Sequence, residues 1–507
     1  MALPITHQHT RSMNETSELI TRNETDGEPL KKARRLLYVS HFFAQFSEAA
    51  WQFALILFLA AFTNYQSLFL ISTYGVASGL TIFLLGAQAG RFVDGSNRLF
   101  AATFFIWTEN LSVVLATILC YLLLHHSSTE EETAVPSSWE EGNFPVGALT
   151  PWSLSLLIGI HFWGSVASLL DAGFLVAIER DWVVILSQEV GPKGSPKTQK
   201  WLSETNVMMK QIDLSCRIVA PALAGLVLGA FDDSQQPTGG SDLASAALVV
   251  GAVNVAALLV EYSCTHRIYH LIPKLAERTH RAPVPFESEL PNNKNCRRVG
   301  LPSALTIYLN QDVAWAGLGL ALLYLNALTF GGLMTGYLAW RGMRLETVGI
   351  WRGISAAVGL CGTFVFHFSV NRTTLIHTGM WSILYQFCCI SVSFSSLFVK
   401  DYLTSTSLLI GGVCCSRVGL WVFDISVTQL MQQYIPAGIR GQVGGTQQSL
   451  NAFFQLLSFA LALLFPNPKE FHIYVSAGYC AAGIAVVFFA GGIYAKKDAL
   501  LRADECT

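Results

Sequence analysis

A series of apolar runs, each long enough to cross a bilayer, constrains this chain more than any other feature. A hydrocarbon core about 30 Å thick needs roughly 20 apolar residues per helix, and lipid offers an unpaired backbone group no partner. Twelve runs meet that need. Six are Leu36–Thr63, Ser67–Gly90, Leu99–Leu124, Trp152–Ile178, Val207–Phe231 and Leu243–Cys264. Six more are Val313–Trp340, Thr347–Val370, Leu375–Val399, Leu403–Met431, Val443–Phe465 and Phe471–Ala495, and the seventh and tenth runs contain polar residues. Composition agrees. Charged residues make up 13% and hydrophobic ones 52%, whereas soluble domains carry about 25% charged residues. A formal net charge of −2 supplies no field aimed at nucleic acid or an acidic partner.

The 11 cysteines are scattered, most within apolar runs, and no C-x-x-C occurs. They read as small packing residues rather than a zinc or redox motif. Residues 1–35 form a polar segment with no apolar h-region, read as a disordered cytosolic tail rather than a cleaved signal.

Lys and Arg orient the spans. With both termini in the cytosol, Lys31, Lys32, Arg34, Arg35, Arg91, Arg98, Lys193, Lys197 and Lys200 fall inside, as do the bases of the central loop. The far side receives Arg341, Arg344, Lys400 and Lys469, with the acidic stretch Glu130–Glu132. This is the asymmetry of the positive-inside rule. Asn14 and Asn23 each open an N-x-T sequon, and in a cytosolic tail both stay unglycosylated.

The predicted architecture is therefore an all-α integral membrane protein of twelve transmembrane helices in two six-helix halves. The halves are residues 36–264 and 306–495, joined by a cytosolic loop over 265–305 and followed by a tail over 496–507. Six plus six around a basic central loop is the major-facilitator layout, with a site between the halves near the midplane. The run G-R-F-V-D-G-S-N-R, Gly90 to Arg98, resembles the loop signature of that superfamily. Gly90 permits close helix approach, and Asp94 is placed to pair with a helix end or a base as a gating latch. Arg98, Arg180, Asp181 and Arg440 are further gating residues on the same side. Ion pairs made in one conformation only supply the differential energy that alternating access needs.

Ionisable groups at membrane depth are costly and face a cavity or a partner. Glu48 and Gln52 lie four apart on one helical face, and Lys210, Asp213 and Arg217 share another. Glu109, Asn110, His161, Asp171 and Arg352 also fall within the runs. Glu48, Gln52 and Asp213 are an oxygen donor set for a divalent cation. The competing reading pairs Asp213 with Lys210 or Arg217 in its own helix. Arg417 and Asp424 read as a structural or gating pair.

Several blocks carry a family resemblance. They are the first span L-L-Y-V-S-H-F-F-A-Q-F-S-E-A-A-W-Q-F-A, E-R-D-W-V-V at Glu179–Val184, and N-V-M-M-K-Q-I-D at Asn206–Asp213. R-V-G-L-W-V-F-D-I-S-V-T-Q-L at Arg417–Leu430, R-G-Q-V-G-G-T-Q-Q-S-L-N and P-N-P-K-E-F complete the set. Taken in order they resemble the ferroportins, the solute carrier family 40 of iron exporters. The resemblance implies efflux of ferrous iron, or of cobalt, zinc or another divalent ion. The family's fifth-helix aspartate falls on Asp213. Its first-helix aspartate falls on Glu48 and its first-helix histidine on Gln52. Its seventh-helix Asp-Cys pair is replaced by Gly331–Gly332, and its twelfth-helix histidine falls on Val486. A second metal site in the C-terminal half is therefore not expected, and neither is control by a peptide hormone through the missing cysteine.

The expected function is divalent metal transport, iron first, with lipid as solvent, no cofactor, no nucleic acid and a monomeric plasma-membrane protein. A same-fold carrier of an organic cation, chelate or metabolite, and a non-transporting receptor or scaffold, stand as alternatives. No catalytic constellation marks an enzyme.

Overall fold

The computed structural model describes residues 6–63, 69–129, 149–230, 240–277, 301–325, 328, 332–465 and 468–494. For residues 6–26 and short stretches at several helix edges, the backbone alone is described. The acidic stretch Glu130–Glu132, Gly331, most of the central loop and the segment 496–507 lie outside the described residues. Among the described residues the secondary structure is helical throughout.

Helices α1 (Thr6–Phe62), α2 (Phe69–Gly95), α3 (Arg98–Thr129), α4 (Pro151–Ser187), α5 (Pro196–Ala230) and α6 (Gly240–Leu271) make the first set. After α7 (Leu301–Leu309) come α8 (Ala314–Leu322), α9 (Gly332–Trp340), α10 (Leu345–Val370), α11 (Leu375–Ser395), α12 (Tyr402–Tyr434), α13 (Arg440–Leu464) and α14 (Phe471–Gly492). Nine helical stretches among the described residues are long and apolar enough to span a bilayer. Helix α13 falls short because polar residues such as Gln447 and Asn451 dilute it. The chain is a multi-pass membrane protein.

Within residues 1–35 the backbone is helical from Thr6, with Glu28 and Lys31 paired at 3.9 Å one turn apart. Its residues are mostly tolerant of helix, and Pro29 alone interrupts the pattern. The seventh span, expected as one run over Val313–Trp340, consists of two pieces, Ala314–Leu325 and Gly332–Trp340. The N-A-L-T-F-G-G sequence at 326–332, with two adjacent glycines, disfavours an unbroken helix.

Three helix starts are capped by side chains at the preceding residue. The Thr150 hydroxyl accepts from Ser153 N–H at 3.2 Å, and the Thr374 hydroxyl from His377 N–H at 3.3 Å. Asp401 accepts from Thr404 N–H at 2.8 Å, and those bonds hold its carboxyl below the usual carboxylate range.

Packing segregates by set. One core cluster is built from α7 to α14 around Phe423, Phe489 and Tyr308, and two others from α1 to α6 around Trp51, Phe105 and Trp182. Large apolar side chains such as Phe162, Leu259, Ile350 and Phe364 point outward, as lipid-facing residues do. Lipid tails are as apolar as the core, so helix association rests on close packing and hydrogen bonds. Between the sets, α2 and α13 approach most closely through two G-x-x-x-G faces, Gly86 with Gly90 and Gly441 with Gly445. A Cβ on Gly90 would overlap the Gly441 carbonyl, and one on Gly445 the Gly86 carbonyl.

Candidate functional site

The residues read as a latch come together at one end of the α2–α13 seam. Asp94 Oδ1 accepts from Gly441 N–H at 2.8 Å and Oδ2 from Gln442 N–H at 2.7 Å. The carboxylate thus caps the first turn of α13, where free N–H groups and the helix dipole favour negative charge. Beside it, Arg98 Nε donates to Asp181 Oδ2 at 2.6 Å, and both side chains are buried. Arg440 lies 3.9 Å from the other Asp181 oxygen. One carboxylate therefore ties α3 and α4 to the start of α13.

Local backbone explains how Arg180 and Asp181 diverge. Residues Val176–Trp182 of α4 form a π-helical turn, a geometry often found at functional positions. Arg180 reaches across to donate to the Thr428 carbonyl on α12 at 3.2 Å, while Asp181 turns toward α3. Gln432 on α12 donates to the Glu179 carbonyl at 2.7 Å and exchanges hydrogen bonds with Asn206 on α5. The sequence suggested these gating residues; the π-turn that aims them was not foreseen.

Deeper in the molecule, Glu48 accepts from Gln52 at 2.7 Å, and Gln52 also donates to Ser168 at 3.4 Å. The second Glu48 oxygen is buried without a hydrogen-bond partner. Asp213 Oδ2 receives Lys210 Nζ at 3.3 Å, and its Oδ1 has no partner. The same ammonium sits 2.9 Å from Asp424 Oδ2 on α12 and 5.2 Å from the centre of the Trp421 ring. Lys210 thus bridges a carboxylate of each helix set.

The proposed pair of Arg417 with Asp424 is corrected. Arg417 donates to the Leu328 carbonyl at 2.5 Å, while Asp424 takes Lys210. Seven residues put the two a full two turns apart along α12, and each found a nearer partner on another element.

The side chain of Arg217 is exposed, yet it interacts electrostatically with Asp213, Asp171 and Glu48 from the first set and Tyr324 from the second. Tyr324 also senses Asp424 and Lys210. These residues lie near one another where the helix sets meet, with four carboxyl groups (Glu48, Asp171, Asp213 and Asp424) near two basic side chains, Lys210 and Arg217. Arg352 is exposed on α10. His41, overlooked in the sequence, is buried on α1 near Asp213 with neither ring nitrogen hydrogen-bonded; a histidine at membrane depth was the available signal.

The structure joins Glu48 to Gln52 but gives Asp213 to Lys210. Among the described residues, no three His, Cys, Asp or Glu side chains converge tightly enough to hold a metal ion. Val486 packs as a half-buried member of the second-set core.

Two helix sets meeting at a cluster of ionisable groups, and tied at one end by cross-set capping and ion pairs, define a membrane protein of the major-facilitator architecture. The fold matches a bacterial homologue of iron transporter ferroportin in an outward-facing state with soaked iron, at TM-score 0.73 and 20% identity over 90% of this chain and 98% of that one. The inward-facing form of such a homologue matches at 0.57, with 20% identity over 91% of this chain and 98% of that one. The E. coli fucose:proton symporter FucP matches at 0.56, with 12% identity over 90% and 98%.

The chain belongs to the ferroportin family: the family profile Ferroportin1 (FPN1) matches residues 31–481. Solute carrier family 40 member 2 of Arabidopsis thaliana is 28% identical over 500 residues, covering 92% of this chain and 91% of that protein. Ferroportin of Homo sapiens is 26% identical over 552 residues, covering 90% and 91%.

Proposed function

We propose that this protein transports divalent metal ions, iron first, by alternating access through a central cavity lined by these ionisable groups between its helix sets. The observation that carries the reading is the Lys210 bridge, an ammonium held by Asp213 and Asp424 from opposite sets. A dication entering an excess of carboxylate competes for the same oxygens with twice the charge. Releasing Lys210 unties α5 from α12, so cargo binding and movement of the two sets become one event. Glu48, with its unpartnered oxygen, and Gln52 complete the oxygen donors on the first set, and Asp171 adds a further carboxyl group.

The family membership and the iron transporter named among the structural relatives support this cargo. Twelve spans in two halves follow if α5, α13 and the paired pieces Ala314–Leu325 and Gly332–Trp340 cross the bilayer with the nine apolar stretches. The latch face carries Arg98, Arg180, Lys274 and Arg440, which supports placing it and both termini in the cytosol of a plasma-membrane monomer. With that end closed, the conformation is outward-facing, in keeping with the higher TM-score to the outward-facing relative. Gly332 in place of cysteine leaves no thiol there for a peptide hormone.

An organic cation is the second reading, favoured by Trp421, whose ring already receives the Lys210 ammonium. Flux into proteoliposomes separates the two. Saturable movement of Fe2+, Co2+, Zn2+ or Mn2+ supports the metal reading. Uptake of organic cations without metal flux overturns it.

A further inference from the structure

We propose that His266 and His270, near the C-terminal end of α6, form a binding site for a late first-row divalent cation such as Zn2+ or Cu2+. The site is separate from the central cavity and does not rest on the transport reading. The two residues are one helical turn apart, so their rings share a face. Both are exposed, and their Nε2 atoms stand 3.2 Å apart. Imidazole nitrogens bind such metals at about 2.0–2.1 Å. Two of them 3.2 Å apart enclose an angle of about 100° at a shared ion, between the tetrahedral and octahedral values. The spacing therefore suits one ion shared by both rings in place of their mutual hydrogen bond, its remaining positions being filled by water. Imidazole suits Zn2+, Cu2+ and Ni2+, and two histidines four apart on a helix is the spacing that zinc enzymes use.

The rings are held in place. Tyr262 stacks on His266 with centroids 5.8 Å apart and 23° between planes, and Tyr269 meets the edge of His270 at 5.8 Å. Trp107 packs against Tyr262 at 6.0 Å, so an aromatic pair of the kind found at membrane interfaces lies one turn before the histidines. The site stands on the latch face. Just past α6, the Leu275 and Glu277 carbonyls accept from Arg98, the base paired with Asp181.

The test is calorimetric titration of the full chain in lipid nanodiscs with ZnCl2, comparing the unaltered protein with H266Q, H270Q and E48Q. A Zn2+ equivalent present in the unaltered protein and in E48Q should weaken by roughly tenfold or more in each histidine variant. Electron paramagnetic resonance with Cu2+ gives a second reading, showing coupling to two nitrogens that each single variant reduces to one. Zn2+ binding unchanged in H266Q and H270Q, or lost in E48Q alone, overturns the proposal, as does a Cu2+ signal without two-nitrogen coupling. Failure of metal flux would count against the central-cavity reading and leave this site standing.

Discussion

Replacing Asp94 with asparagine removes the charge that caps α13 while keeping the size of the side chain. In the closed latch, Asp94 accepts from two backbone N–H groups of α13. Asparagine keeps one acceptor oxygen, so one of these bonds and the favourable charge at the helix start are lost. A hydrogen bond to a charged group contributes about 1.5–3 kcal/mol, and a charge at a helix terminus about 0.3–1 kcal/mol. Asp94 is half-buried, so the lower end applies, about 2 kcal/mol or roughly thirtyfold in the balance of states. The bonds exist only while α2 and α13 meet at this end, so the whole effect falls on the closed state. Spin labels at the exposed positions Lys197 and Ala437, on a cysteine-depleted background, would report it by pulsed dipolar distances. D94N should shift the population toward a longer separation. An unchanged distance distribution together with unchanged transport would refute the latch.

Three further substitutions bear on the same account. R98L leaves Asp181 buried with only the more distant Arg440, and should cost about 3 kcal/mol of stability, read as a lowered thermal unfolding midpoint in detergent; an unaltered midpoint counts against the triad. G445A forces a Cβ into the Gly86 carbonyl and should open the latch end in the same spin-label assay, whereas G411A, with open space around it, should be silent. K210M frees both carboxylates of the bridge; apparent affinity for metal should rise while turnover falls, and a loss of affinity would show that Lys210 does not compete with cargo.

The spans were legible because hydrophobic runs report the solvent directly. Helix α13 could be read as a span only by accepting glutamine and asparagine at membrane depth, which mean hydropathy penalises. The latch was legible in part: G-R-F-V-D placed Asp94 in a short turn beside a small residue, but not its partners 347 and 348 positions away. Local spacing paired Asp213 with Lys210 correctly. It misled for Arg417 and Asp424, because partner choice there depends on α5 packing against α12. The π-turn at Val176–Trp182 leaves no periodic trace in so short a motif, yet it is what sends Arg180 and Asp181 to opposite neighbours.

The most direct test of the central claim is the initial rate of Fe2+ flux in proteoliposomes for the unaltered chain, E48A and D213A, with protein amounts matched. If the acidic cavity carries the ion, the unaltered protein gives a saturable rate and each substitution removes most of it. Flux that survives both substitutions would contradict the account.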